Sequence, residues 1–231
     1  MRELVESPVF LLALTLVTYQ LGRRVRDLTG AHALAQPVLV AVVLTGGTIV
    51  ALDVDAATYA EGVQVISFWL GAATVALAVP LHRQVSRLRG FVVPMLVAIP
   101  VGAVVSVVSV VVLARWTGAD EVLARTLSPK AATTPVSIAL SETVGGVPSL
   151  TAALTIAVGI LGAVAGPAVL TLARVTDRRA RGLALGAVSH GIGASRALAE
   201  DETEGAFAGL AMGLSALATS LLLPLLLPLL L

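Results

Sequence analysis

Lys130 is the single lysine of a chain that otherwise uses fourteen arginines. An ammonium is a compact point charge whose protonation responds to desolvation, whereas a guanidinium stays charged, so this exception marks a place where the smaller cation suits the task. It stands in the run SPKAATTP, from Ser128 to Pro135. Pro129 and Pro135 each remove a backbone donor and interrupt a helix, which frees carbonyl and N–H groups to face a cavity. Ser128, Thr133 and Thr134 add hydroxyls beside them. A charge at the centre of a bilayer costs about 2.5 to 3.5 kcal/mol even on the lenient insertion scale, so a lysine at that depth marks a site; at a helix end it would instead snorkel to the headgroups. A second constellation is SHGIGASRAL, beginning at Ser189. Gly191 and Gly193 permit positive φ or a close backbone approach, and a helix starting near Ala194 would aim free N–H groups at an anion. Arg196 on the first turn of that helix opposes its dipole unless a negative partner is present, either an anionic ligand or an internal carboxylate such as Glu142. His190 suits a proton relay or a structural hydrogen bond.

Other chemistry is less well supported. Ser128 with Lys130, and Ser189 with His190, are residue types found in activated nucleophile pairs, but sequence neighbours need not lie within hydrogen-bond reach, and no enzymatic activity is expected. Asp53 and Asp55 have no further convergent carboxylates for a metal. Cysteine is absent, which excludes disulfides, thiolate metal sites and cysteine nucleophiles. No cofactor or metal is expected.

The elements that must hold these groups are membrane helices. The 231 residues are 57% hydrophobic and 13% charged, more apolar surface than a soluble core of this size can hide. A net charge of +1 offers no electrostatic footprint for nucleic acid. At about 20 apolar residues per crossing, the length accommodates roughly six to eight segments with short loops. Apolar stretches at 4–22, 37–52, 63–81, 91–114, 148–172 and 205–231 are the expected spans, the first read as a retained helix rather than a signal peptide. Between them, 126–146 and 182–198 are rich in Gly, Ser, Thr and Pro and carry isolated charges. Arg23, Arg24 and Arg26 follow the first span and Arg83, Arg87 and Arg89 the third, whereas Asp53, Asp55 and Glu61 follow the second. The positive-inside rule then puts the N-terminus outside, and it requires 126–146 to enter and return if Arg174, Arg178, Arg179 and Arg181 are to fall inside. Whether 182–198 crosses stays open. The acidic cluster of Glu200, Asp201, Glu202 and Glu204 reads as a solvated loop.

Glycines at every fourth position, Gly205, Gly209, Gly213 and Gly162, Gly166, predict flat faces for close packing in lipid. A weak similarity relates 70–81 with the span after it to 127–140 with the span after that, as an internal repeat or as coincidence in an Ala/Val/Leu-rich chain. The expected fold class is therefore all-α: a polytopic transmembrane helical bundle with two broken or re-entrant segments. It forms one integral membrane domain, 1–231, whose most distinctive part is 126–214.

With those segments in view, the chain resembles the LrgB/CidB family of bacterial membrane proteins. The resemblance rests on SPKAATTPVSIALSETVGGVPSLTA from Ser128, RGLALGAVSHGIGASRAL from Arg181 and EGAFAGLAMGL from Glu204, with WLGAATVALAVPL from Trp69 in support. The family usually has Gly-Pro where this chain has Gly71-Ala72. The resemblance implies a multi-pass protein of the bacterial plasma membrane, paired with a small LrgA/CidA-like membrane protein. It further implies antiholin-like control of murein hydrolase activity and autolysis, and in some relatives movement of small monocarboxylates such as pyruvate, glycolate or glycerate. On this reading Ser128, Lys130, Thr133, Thr134, Ser189, His190, Gly191, Gly193 and Arg196 bind a small organic anion where two broken helices meet. The alternative is a regulatory partner that moves no solute of its own. A homo-oligomer is compatible with either.

Overall fold

The computed structural model describes residues 2–30, 35, 37–66, 68–69 and 90–231. No strand occurs among them, and they fall in two compact units, Met1–Val75 and Ala76–Leu231.

The first unit contains α1 (Arg2–Val5), α2 (Pro8–Leu28), α3 (Pro37–Ala51) and α4 (Ala56–Gly62). Ser7 caps α2 by accepting a hydrogen bond from the Phe10 amide, with Pro8 supplying the fixed φ of a first helical position. Arg23, Arg24 and Arg26, expected in a connection, form part of the last two turns of α2, because nothing before Thr29 breaks the helix. Gly22 lets α3 approach closely: a side chain there would lie 2.5 Å from the Pro37 carbonyl. A buried hydrogen bond of 2.7 Å joins the Thr18 and Thr45 hydroxyls across the same pair. At 15 residues, α3 is apolar but shorter than the about 20 that a perpendicular crossing needs. Most of the expected third span, 63–81, lies outside the described residues, as do Arg83, Arg87 and Arg89.

The second unit contains α5 (Val92–Trp116), α6 (Glu121–Leu127), α7 (Thr134–Val144), α8 (Pro148–Leu172), α9 (Arg178–Glu200) and α10 (Glu202–Leu230). Among the described helices, α5, α8 and α10 are long and apolar enough to cross a membrane, in agreement with three of the six expected spans. Their 25 to 29 residues correspond to about 37 to 43 Å of helix, enough for a hydrocarbon core of about 30 Å.

Both interrupted segments are helical hairpins. Asp120 caps α6 through the Leu123 amide, the chain breaks at 128–133 around Pro129, and it returns as α7, which ends at Gly145 with φ 76°. The two ends of this hairpin are tied together by Arg125 donating to the Val144 carbonyl at 2.6 Å and by the Val147 amide donating to the Thr126 hydroxyl at 2.9 Å. Segment 126–146 therefore doubles back on itself, the shape that entering and returning would need. In α9 the helix breaks at His190, whose φ of 40° and ψ of −132° reverse the chain. A straight helix would hold Arg181 and Glu200 about 28 Å apart. Their side chains instead meet at 3.9 Å, and Gly193 lies so near the first arm that a side chain on it would come 2.5 Å from the Leu185 carbonyl. Segment 182–198 thus reverses its direction as well and does not run as one straight helix.

The two hairpins open at opposite ends of α8. The first is anchored near its start, where Thr151 donates to the Thr126 carbonyl at 2.9 Å. The second is anchored near its end, where Arg181 donates to the Thr171 hydroxyl at 3.3 Å. A long helix followed by a hairpin thus occurs twice in opposite sense, α5 with α6–α7 and α8 with α9, the arrangement of an inverted repeat. Of the first copy of the repeat expected from sequence, the span is α5, and 70–81 lies outside the described residues. α10 is the most enclosed element. Gly182 and Gly186 of α9 face the carbonyls of Glu204 and Ala208 so closely that neither position has room for a Cβ. Side chains of Met95, Ile99, Leu183, Phe207 and Leu210 close one end of the core, and Val107, Val111, Leu140, Leu223 and Leu227 the other.

Candidate functional site

The first hairpin's tip carries four of the predicted site residues. Ser128 is buried and donates back to the Ala124 carbonyl at 2.6 Å, extending the local helical pattern. Ser137 holds the break in shape by donating to the carbonyls of Pro129 (2.7 Å) and Ala132 (3.1 Å), groups that a continuous helix would have satisfied itself. Lys130 reaches sideways to α5, its Nζ donating to the Ser106 carbonyl at 3.1 Å and the Ser106 hydroxyl at 3.2 Å. Ser106 is ten residues inside the end of α5, about 15 Å along the helix, so the ammonium lies beside the middle of a candidate membrane span and away from its ends. Thr133 precedes α7 as its N-cap but makes no cap hydrogen bond, and its buried hydroxyl has no partner among the described residues. Thr134, half-buried, opens α7.

Ser189, His190, Gly191 and Gly193 form the second tip. The glycines act differently from expectation. Neither has positive φ; His190 takes that conformation, Gly193 provides the close approach, and the second arm begins at Gly191 rather than near Ala194. A non-glycine residue at φ 40° is held there against a local cost of about 1 to 3 kcal/mol. The His190 ring, buried, makes a 2.9 Å hydrogen bond to the Thr155 carbonyl and rests against Gly159, where a Cβ would collide with it. The Ser189 hydroxyl packs on Gly162, and both it and the Thr155 hydroxyl are buried without a partner among the described residues. Ser128 and Lys130 face different groups, so their adjacency does not form a nucleophile pair.

Both hairpins bear on α8, the first through its mouth and the second through its tip. Thr151, Thr155, Gly159 and Ala163 form one buried stripe at four-residue spacing. Thr151 receives the mouth of the first hairpin, its hydroxyl also lying 2.7 Å from that of Ser141, and Thr155 receives the tip of the second one turn away, about 6 Å along the axis. Thr155 lies seven residues inside the start of α8, about 10 Å, which is where the second tip rests after entering from the other end. Arg196 belongs elsewhere: it sits between the second tip and its mouth and pairs with Glu200 at 2.7 Å. Glu142, the internal partner considered for it, is exposed at the other hairpin.

A second polar cluster closes the mouth of α9, and sequence reading missed it. Glu204 is 0% exposed, paired with Arg178 at 2.9 Å and with Arg181 at 3.4 Å, while Arg181 also approaches Glu200. The acidic run is therefore not a solvated loop: Asp201 caps α10 through the Thr203 and Glu204 amides, and Glu204 is the buried counterion that holds α9 to α10. The only hint in sequence was that four arginines and three glutamates flank one glycine-rich segment. Outside the membrane zone, Asp177 caps α9, and the Arg179 side chain bonded to it holds its carboxyl below the usual carboxylate range. The glycine faces also need correction. Gly162 and Gly166 do receive Ser189 and Leu185, and Gly205 receives Leu198, but Gly209 and Gly213 have nothing within 4 Å of a Cβ position and form no packed face.

Comparison with known proteins finds similarity over nearly the whole chain. Residues 15–229 match the model of the LrgB-like family. The "Antiholin-like protein LrgB" of Bacillus mycoides strain KBAB4 is 34% identical over 209 residues, covering 89% of this chain and 90% of the relative. The same figures hold for the proteins of that name from Bacillus cereus strain B4264 and Bacillus anthracis strain CDC 684 / NRRL 3495. No solved structure matches the chain. With the family model spanning nearly the whole length, both hairpins included, the chain belongs to the LrgB-like family.

Proposed function

We propose that this protein carries a small monocarboxylate, of the size of pyruvate or glycolate, across a bacterial plasma membrane. The observation that carries this reading is the pair of hairpins that open at opposite ends of α8, with Lys130 and the unpartnered hydroxyl of Thr133 at the first tip and the unpartnered hydroxyls of Thr155 and Ser189 at the second. Buried hydroxyls without partners are costly unless something supplies the missing bonds, and a carboxylate accepts from hydroxyls and an ammonium at once. Broken helices near the midplane are where secondary transporters hold their substrates. His190 serves this site as a structural hydrogen-bonder that keeps the second tip reversed, and Arg196 acts with the mouth cluster. Flux of the monocarboxylate would link the protein to control of murein hydrolases and autolysis, with a small LrgA/CidA-like membrane protein as partner.

The test is uptake of radiolabelled pyruvate and glycolate into proteoliposomes containing this chain alone. Lys130→Ala should abolish saturable uptake while the protein still inserts and elutes as the wild type does. Undiminished uptake by that variant would remove Lys130 from the site. A second reading is favoured by the name of the Bacillus relatives: an antiholin-like regulator that moves nothing itself. Absence of flux from the chain alone, with flux or altered autolysis only when the small partner is co-reconstituted, would favour it.

A further inference from the structure

Alongside the second hairpin, α8 and the first arm of α9 enclose two spaces that follow one another along the same pair of helix faces. Near the α9 mouth is a basin of about 790 Å³ bordered by Pro167, Thr171, Leu172, Arg174, Arg181 and Glu200. Next to it, toward the tip, runs a groove of about 360 Å³ whose floor is opened by Gly162, Ala165 and Gly166. On α8 the groove residues end at Val169 and Leu170 and the basin residues begin at Pro167; on α9 the groove residues begin at Ala184, one turn from Arg181. The groove is bordered by exposed apolar side chains, Leu161 at 66% and Val169 at 60%. From Val158 to Leu170 it extends for about 18 Å, close to the half-thickness of a hydrocarbon core, about 15 Å.

The basin is positively charged. Arg181 and Arg178 share Glu204, and Glu200 is engaged by Arg196 and approached by Arg181, but the Arg174 guanidinium makes no hydrogen bond or ion pair among the described residues. Arg174 itself is held at φ 58°, just after the last turn of α8, with Leu172 86% exposed beside it. A cation at the end of a membrane helix, an apolar rim, and a groove of one leaflet's length below it share one complement. The geometry points to a bound anionic phospholipid, its phosphate in the basin against Arg174 and one acyl chain in the groove between α8 and the first arm of α9. Bound there, the lipid bridges α8 and the hairpin and ties the hairpin's position to the charge of the cytoplasmic leaflet. This is independent of whether the tips carry a solute.

The experiment is native mass spectrometry of the full chain in detergent, titrated with phosphatidylglycerol or with phosphatidylcholine of the same acyl chains. Wild type should retain phosphatidylglycerol at least about fivefold more strongly, the preference one arginine confers at an anionic surface. Arg174→Gln should remove that preference and Arg174→Glu should reverse it, while Arg24→Gln leaves it unchanged. Ala165→Phe, at an exposed position of the groove floor, should weaken retention of both lipids by filling the chain's place. Equal retention of the two lipids by wild type, or an undiminished preference in both Arg174 variants, would overturn the proposal. So would a covalent dimer formed by Ala165→Cys in native membranes, which would assign the groove to a second copy of the chain.

Discussion

Three buried hydroxyls, on Thr133, Thr155 and Ser189, lack partners among the described residues, whereas Ser128, Ser137 and Thr151 each satisfy a specific backbone group. The second set shapes the breaks, and the first is free to meet a ligand. A hydroxyl that donates to a carboxylate contributes about 1.5 to 3 kcal/mol, so Thr155→Val, which keeps the shape and removes only the donor, should weaken apparent monocarboxylate affinity about tenfold to a hundredfold. Uptake kinetics in proteoliposomes measure this directly. An unchanged KM would show that the Thr155 hydroxyl does not meet the substrate. Thr155 was not read from the sequence as a site residue, since one threonine in a long apolar span gives no signal until another element is seen to touch it. Lys130 did, because its residue type was the exception in a chain of arginines.

Element by element, the hairpin of α9 depends on its glycines. Gly182 and Gly186 bring α9 against the carbonyls of Glu204 and Ala208, and Gly193 brings the second arm against the first. These contacts are backbone to backbone, so no side-chain rotamer can relieve a substitution. Gly186→Leu should therefore cost more than the about 1 to 3 kcal/mol of ordinary overpacking and should sharply reduce the yield of monodisperse protein in detergent. Gly213→Leu, at an exposed position with open space around it, should not. Equal yields from both would show that α9 and α10 are not packed at this distance. The regular spacing of Gly205, Gly209 and Gly213 was the more conspicuous signal in sequence, yet only Gly205 is covered, because spacing shows which positions share a face and not which face meets a neighbour.

For the second unit as a whole, the defining property is that the hairpins open at opposite ends. The chain has no cysteine, so single cysteines report side without background. Glu142→Cys, exposed on the first hairpin, should react with an impermeant maleimide from outside intact cells. Thr176→Cys, in the connection before α9, should react only after the cytoplasmic side is exposed. Labelling of both from one side would contradict the inverted arrangement. In that arrangement each hairpin satisfies backbone groups within its arms and leaves irregular backbone at its tip, a form that a membrane tolerates only where protein surrounds it.

Composition alone determined that the chain lives in lipid, because too little polar surface exists to cover so many apolar side chains in water. Proline, glycine and isolated charge located both interruptions at 126–146 and 182–198, and the loop arginines required the first of them to return, since net charge at a membrane is a local property of the chain. Tertiary structure decided what depends on contacts between distant residues. Arg196 turned from a ligand to the mouth cluster because Glu200 lies one turn away on the same arm. The acidic run became a buried counterion because α10 packs into the glycines of α9. The reversal passed from Gly191 and Gly193 to His190, whose ring the Thr155 carbonyl holds in place. Hydrogen-bond partners across 35 residues leave no periodicity to read, and so the seating of the second tip on α8 appeared only in the folded chain.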